Sequence, residues 1–202
     1  MPLLDIVHQD LYKLFENKSI AVVGNARSLY QRKFGRHIDN NDIVCRFNLG
    51  INHDSYKTHG SKTDWIVYNN ENWAKSVDLF SLDTNANWMQ VYQNPRDFSK
   101  SLPNPIYIMP SFILQKIQDY GNFSNDLRPS IGLVFLYFLT FAKPRQVNIY
   151  GFDWKKTHTF YNYTRKRKKD ERQKGHDWGK EELFFTEKIL KERNNFEYYI
   201  NE

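Results

Sequence analysis

The chain has 202 residues and a net charge of +6, from 29 lysines and arginines against 23 acids. That length buries roughly 70% of the surface an unfolded chain exposes, so a core forms without metal or disulfide staples, and the single cysteine, Cys45, excludes an intrachain disulfide. A basic surface favours anionic partners such as nucleotides, nucleic acid or a lipid headgroup layer, without choosing among them.

The N-terminal stretch carries Asp5 and Asp10 among its apolar residues, which argues against a signal peptide, and no run reaches the ~18 apolar residues of a membrane span. The expected location is the cytoplasm. Leu4, Val7, Leu11, Leu14 and Phe15 recur at helical spacing and predict a leading helix over Leu3–Phe15. Ile20-Ala21-Val22-Val23 then reads as a buried strand running into Gly24-Asn25 and a segment of helical character. A second apolar run, Ile43–Phe47, ends in Asn48. A third strand is expected over Lys62–Tyr68, after the turn-like His59-Gly60-Ser61, and two more over Met89–Tyr92 and Ile106–Met109.

Ser111–Tyr120 reads as a short helix and Gly121–Pro129 as a polar connector. Pro129-Ser130-Ile131-Gly132 opens the most apolar stretch, Leu133–Ala142, a buried helix with Ser130 as its N-cap and Pro144 as its stop. Val147–Tyr150 is one more strand that runs into glycine, Gly151. The tail holds an aromatic segment (Thr157–Tyr163), a charged one (Arg165–Lys174), an amphipathic helix over Lys180–Glu192 with Leu183, Phe184, Ile189 and Leu190 on its apolar face, and an edge strand over Phe196–Ile200. Strands alternating with helices predict an α/β fold. A single domain over residues 1–202 is expected, with a mostly parallel sheet of Rossmann type flanked by helices.

Two strands thus each deliver an asparagine, Asn25 and Asn48, to the carboxyl edge of the sheet, where open α/β folds bind ligands. Their amides both donate and accept, which suits a base, a ribose or a phosphate, although asparagine after glycine is also an ordinary turn residue. Ser130 stands at a helix start that either faces the same edge or is simply capped.

His176 lies between Gly175 and Gly179 just before the last helix, with Glu181 five positions on. Histidine can take a proton from a hydroxyl near neutral pH. Glu181 would then orient the imidazole, or else sit in the first helical turn where acids are favoured. His8, His37, His53 and His59 read as surface or structural residues. The basic run Arg165–Lys169 is a solvated loop, or a contact with anionic lipid, with an acidic acceptor or with a donor phosphate. Nucleic acid is disfavoured because no RNA- or DNA-binding motif occurs. There is no GxxxxGK[ST], GxGxxG, CxxC pair or HExxH, and no Asp-x-Asp placed after a strand to hold a metal on a diphosphate. A metal-free mechanism without cofactors is expected.

AVVGNARSL…GRHIDNNDIVCRFN resembles the large sialylmotif of the animal-type sialyltransferases, glycosyltransferase family 29, including Ile38-Asp39 and Asp42…Arg46-Phe47-Asn48, with Gly60-Ser61-Lys62-Thr63 as its continuation. Pro129-Ser130-Ile131-Gly132 through Tyr150-Gly151-Phe152 resembles the small motif, and His176…Glu181 the very small one. The compact length and the Gly175-His176 loop are similar to the bacterial sialyltransferases of family 42. The third motif is poorly matched by His158-Thr159-Phe160-Tyr161, and the cysteines that join the large and small motifs in animal enzymes are missing.

The resemblance implies a GT-A-like fold that transfers sialic acid, or a related nonulosonic or ulosonic acid, from a CMP-sugar to a glycan hydroxyl, with inversion and without metal. It implies a nucleotide-binding core over residues 18–152 and an acceptor, lid and catalytic-base segment over residues 153–202. Gly24, Asn25, Asn48, Ser130, Gly132, Gly151 and Phe152 would form the donor nucleotide site. His176 would be the general base, Glu181 its orienting partner, and His158 or Tyr161 would stabilise the phosphate. The acceptor would be lipooligosaccharide or capsule, with peripheral contact at the inner membrane face through Arg165–Lys169. A CMP-Kdo transferase and a non-catalytic nucleotide- or glycan-binding module are the alternatives.

Overall fold

The computed structural model describes residues 10–51, 55–69, 85–92, 106–123, 127–157, 159 and 175–199. Seven strands form one sheet: β1 (Ser19–Val23), β2 (Ile43–Phe47), β3 (Trp65–Tyr68), β4 (Asn87–Gln90), β5 (Ile106–Ile108), β6 (Gln146–Tyr150) and β7 (Phe196–Tyr199). Their order is β5-β4-β3-β2-β1-β6-β7, and every pairing is parallel. The helices are α1 (Gly35–Asp39), α2 (Tyr56–His59), α3 (Ser111–Gly121), α4 (Ile131–Leu139) and α5 (Trp178–Phe184), which continues as a widened π-helical turn over Phe185–Leu190.

A parallel sheet is covered on both faces, so its strands read as continuous apolar runs. β2 is buried at every position and β1 at all but its first. One face carries the main core, where Phe135 and Phe138 of α4 meet Phe15, and Phe15 in turn packs on Trp65 with ring centroids 4.9 Å apart. Among the described residues, 10–13 are helical. Leu11 and Phe15 are buried there and Leu14 is exposed, while Leu4 and Val7 lie outside the described residues. No described helix is long and apolar enough to cross a membrane.

The chain winds outward from β1 to β5 and then returns to place β6 on the other side of β1, so the order reverses between β1 and β6. At such a switch point the loops leaving two adjacent strands part in opposite directions and open a crevice. Here those loops begin Gly24-Asn25 and Gly151-Phe152.

β3 starts at Trp65, later than Lys62, because the preceding residues are engaged elsewhere. Arg46 lies in the middle of β2 with no exposed surface, and its guanidinium donates to the carbonyls of His59 (2.7 Å) and Lys62 (3.0 Å) and to Thr63 Oγ1 (2.9 Å). Asp39 accepts from the backbone N–H of Ser61 and Lys62, and Asp64 accepts from Val44 N. Gly60 makes this possible at φ +74, where a Cβ would also strike the Asp39 carboxylate. Burial pulls the Arg46 pKa down to about 10 against the opposing pull of Asp39. Asp39, Arg46 and Gly60–Thr63 therefore form a scaffold that fixes the exit of β2.

The tail helix differs from the expected face. Leu183 is 62% exposed, and the inward positions are Glu181, Phe184, Phe185 and Ile189. Ile189 lies four residues after Phe185, within the widened turn that spans Phe185–Leu190.

Candidate functional site

The floor of the crevice is backbone against backbone. Gly24 N donates to the Tyr150 carbonyl at 2.7 Å and Ala26 N to the Gly151 carbonyl at 3.0 Å. A Cβ on Gly24 would collide with the Gly151 carbonyl oxygen, and Gly151 itself has φ +65, so both positions require glycine. The Phe152 ring fills the space that two missing side chains leave: an added Cβ would lie 2.8 Å from it at Gly24 and 2.7 Å at Gly132. Phe152 thereby joins the exit of β1 to the start of α4.

Asn25 reaches across to β2, its Nδ2 donating to the Phe47 carbonyl at 3.0 Å. Its Oδ1 lies where a side chain on Gly50 would stand, so the amide keeps its place only because residue 50 is glycine. Asn48 occupies the left-handed region at φ +51, which asparagine tolerates better than most residues. Its Oδ1 is buried and finds no hydrogen-bond partner among the described residues. An unsatisfied buried acceptor beside a switch-point crevice is a place where a ligand donor would be gained at full value.

α4 and α5 both start at this edge of the sheet, and Glu181 ties them together. Its carboxylate has no exposed surface and accepts from Ser130 N at 2.9 Å and Ser130 Oγ at 2.5 Å. Ser130 Oγ also accepts from Leu133 N at 3.3 Å, making the expected N-cap. The hydroxyl proton is thus committed to Glu181, and one lone pair remains for a ligand.

His176 packs beside this pair. Its Nδ1 is 2.6 Å from the Arg128 carbonyl and 3.4 Å from Glu181 Oε1. A carbonyl can only accept, so Nδ1 carries a proton, and in the neutral imidazole Nε2 keeps its lone pair. The carbonyl is the hydrogen-bond partner of the imidazole, and Glu181, read as its orienting residue, spends its close contacts on Ser130. The Arg128 carbonyl is held in turn: Arg128 N donates to the Gly175 carbonyl at 3.1 Å, and the Tyr92 hydroxyl donates to the Pro129 carbonyl. Burial, reinforced by the Glu181 charge, pushes the Tyr92 phenol far up, so it stays a donor. The Trp178 ring flanks the imidazole with centroids 4.7 Å apart.

The loop leaving β6 closes the remaining side. Asp153 accepts from Ser28 Oγ at 3.3 Å, from Thr157 N at 3.0 Å and from Thr157 Oγ1, and Thr159 bridges to Ala26. Lys156 pairs with Glu182 at 2.7 Å.

The structure therefore brings together Gly24, Asn25, Asn48, Ser130, Gly132, Gly151, Phe152, His176 and Glu181 along the carboxyl edge of one sheet. His158, Tyr161 and Arg165–Lys169 lie outside the described residues. Of the histidines read as structural, His59 is fully buried and His37 meets the Tyr150 hydroxyl at 2.7 Å, while His8 and His53 are outside the described residues. Sequence reasoning missed Gly50, Arg128, Tyr92 and Asp153. Gly50 and Arg128 stand two residues from Asn48 and Ser130, whereas nothing in the sequence links Tyr92 to Pro129. Among the described residues no group of three His, Cys, Asp or Glu is placed to hold a metal ion.

Residues 10–100 match the family model described as glycosyltransferase family 29 (sialyltransferase). A comparison with curated proteins finds no match. Among solved structures, the chain is similar to a mammalian sialyltransferase at TM-score 0.62 and 20% identity, over 91% of this chain and 69% of that one. It is also similar to a mammalian sialyltransferase in complex with Gal-beta-1-3GalNAc-ortho-nitrophenol, at TM-score 0.63 and 20% identity, over 93% and 71% of the two chains. The sialyltransferase CstII from Campylobacter jejuni in complex with cytidine-5'-monophosphate gives a TM-score of 0.59 at 20% identity, over 91% and 79%.

Proposed function

For a chain whose residues 10–100 carry the glycosyltransferase family 29 pattern on the sialyltransferase fold, we propose that it transfers sialic acid, or a related nonulosonic acid, from a CMP-sugar to a glycan hydroxyl. The observation that carries this reading is the His176–Arg128 hydrogen bond, which puts a proton on Nδ1 and makes Nε2 of the neutral ring the atom that can accept one, beside the crevice floored by Gly24, Asn25 and Gly151. Asn25 and Asn48 hold the nucleotide, and the remaining lone pair of Ser130 Oγ faces the donor. His176 Nε2 takes the proton of the acceptor hydroxyl as its oxygen attacks the anomeric carbon. The bond from that carbon to the phosphate oxygen breaks, and its electron pair leaves on CMP. Attack from the side opposite the phosphate inverts the anomeric centre, and no divalent metal takes part.

Such chemistry asks two things of a protein: a base on the acceptor and donors on the departing phosphate. The family pattern and the CMP held by a structure of the same fold support the donor class. The acceptor is proposed to be a cell-surface glycan such as lipooligosaccharide or capsule, met at the cytoplasmic membrane face through Arg165–Lys169. A panel of CMP-activated sugars, CMP-sialic acid and CMP-Kdo included, assayed for CMP release with and without glycan acceptors and with EDTA present, tests the reading. Acceptor-dependent release from CMP-sialic acid is expected; release from CMP-Kdo alone would reassign the donor, and release from none would leave only a binding role.

A further inference from the structure

Between Ala26 and Ile38 the chain carries Arg27, Arg32, Lys33 and Arg36 and not one acid. This run covers the sheet face opposite α4: Leu29 and Ile38 pack with Ala21, Val23 and Val44, whereas Ile20 and Val22 belong to the core on the α4 side. α2 is pressed against it. A Cβ on Gly35 would stand 1.9 Å from the Tyr56 carbonyl oxygen, and the Tyr30 and His59 rings lie 4.4 Å apart. The contact adds Lys57 and Tyr56, which is 69% exposed, to the same surface. All five of these cations are exposed. Elsewhere cations are matched by acids, as Lys13 is by Asp10, Arg145 by Asp42, Lys156 by Glu182 and Lys191 by Glu187. Here they are not. Among the described residues, the side chains of Lys33, Arg36 and Lys57 make no hydrogen bond or ion pair. The acids at the borders are engaged: Asp39 accepts from Ser61 N, Ser61 Oγ and Lys62 N, and Glu197 accepts from the Tyr199 hydroxyl. Like charges gathered without counter-charge repel one another, and an anionic partner relieves that repulsion.

We propose that this face, built by Arg27–Arg36 and α2, docks on the anionic headgroups of a lipid bilayer. Of the large apolar side chains exposed among the described residues, Leu14, Tyr56, Phe112, Tyr120 and Leu183, only Tyr56 belongs to it. A protein partner would ask for an apolar centre with few lysines, and single-stranded nucleic acid for a row of aromatic faces on which its bases stack. A headgroup layer asks for cations, each worth about fivefold in affinity, and accepts a tyrosine at its boundary. The inference goes beyond the transfer reading and needs neither donor nor acceptor. It gives the bilayer a surface separate in sequence from Arg165–Lys169.

Co-sedimentation with vesicles tests it without any substrate, so its failure and the failure of the CMP-sugar reading are told apart. The probes are vesicles of phosphatidylcholine alone and of phosphatidylcholine with phosphatidylglycerol at about two to one, at low and at high salt. The wild-type protein is expected on the mixed vesicles alone and to leave them at high salt. K33E/R36E/K57E should bind them about a hundredfold more weakly, at about fivefold for each cation lost. K13E/K116E/K191E makes the same change in net charge on other surfaces and should keep most of the binding. If the first variant does not fold, K33Q/R36Q/K57Q serves in its place. Equal losses in the two triple variants would trace binding to net charge, and undiminished binding by the first would take the face out of the contact. Tighter binding of the wild-type protein to single-stranded RNA than to the mixed vesicles would put nucleic acid in place of the bilayer. Each of these overturns the inference, as does a wild-type protein that ignores anionic vesicles.

Discussion

Glu181 and Ser130 lie 51 residues apart and make two hydrogen bonds, with the carboxylate taking both the backbone N–H and the hydroxyl of the serine. The pair joins the first turns of α4 and α5. It also fixes the segment whose Arg128 carbonyl holds His176.

Removing the serine hydroxyl takes one of two hydrogen bonds from the buried Glu181 carboxylate, and removing the carboxylate takes the acceptor from both Ser130 N and Oγ, so Ser130→Ala is expected to lower stability by about 1–2 kcal/mol and Glu181→Ala by about 2–3 kcal/mol. The double variant should lose less than the sum, with a coupling of about 1–2 kcal/mol. Urea unfolding of the four proteins measures it. Strict additivity would mean that the two residues act independently.

Asn48 separates binding from stability. Its buried Oδ1 lacks a partner and its φ is +51, so Asn48→Gly removes both an unsatisfied acceptor and a left-handed side chain. The melting temperature should stay level or rise, while CMP affinity falls by about tenfold, the worth of one hydrogen bond to a ligand. A variant that binds CMP as well as the wild-type protein would take Asn48 out of the site.

Two glycines of the floor should respond differently to a methyl group. Gly24→Ala meets the backbone of Gly151, which cannot yield, and is expected to destabilise the fold by about 1–3 kcal/mol. Gly50→Ala meets only the Asn25 side chain, which can swing away. Its fold should survive with its CMP affinity reduced, as thermal melts and calorimetry would report. Equal losses of stability would refute the distinction.

Asp42 gives the acid side of the stability profile. It accepts from Ser19 N at 2.8 Å and Ser19 Oγ at 3.0 Å and pairs with Arg145 at 2.9 Å, and the bonds to Ser19, with help from Arg145 and Lys18, hold its carboxyl below the usual range. A depressed folded-state pKa stabilises above the unfolded value and ceases to do so as pH falls through the folded one. Asp42→Ala should therefore be less stable than the wild-type protein at pH 7, with the gap closing as the carboxylate protonates. A gap that persists at pH 2 would trace to lost packing.

The strands were legible because a two-sided parallel sheet writes itself as apolar runs, and the crevice was legible because each of two neighbouring strands ends in glycine. Ser130 was readable as a cap from its place before an apolar run. What escaped was chosen by contacts between distant residues. Tyr92 serves Pro129 across 37 positions with no shared pattern, and Arg46 sits in an apolar strand, where its guanidinium bonds to backbone carbonyls and Thr63. The tail helix misled because Glu181 takes the inward position that an amphipathic pattern assigns to an apolar residue, leaving Leu183 in solvent.

We propose that a nucleotide site and a base gathered along one edge of the sheet together perform group transfer. His176→Ala tests it most directly when CMP binding and turnover of CMP-sialic acid with an acceptor are measured on the same preparation. The expected result is unchanged CMP affinity with turnover lowered by about two to four orders of magnitude. Full activity in the variant would place the base elsewhere, and loss of CMP binding with activity would make His176 part of the nucleotide site, either of which contradicts the account.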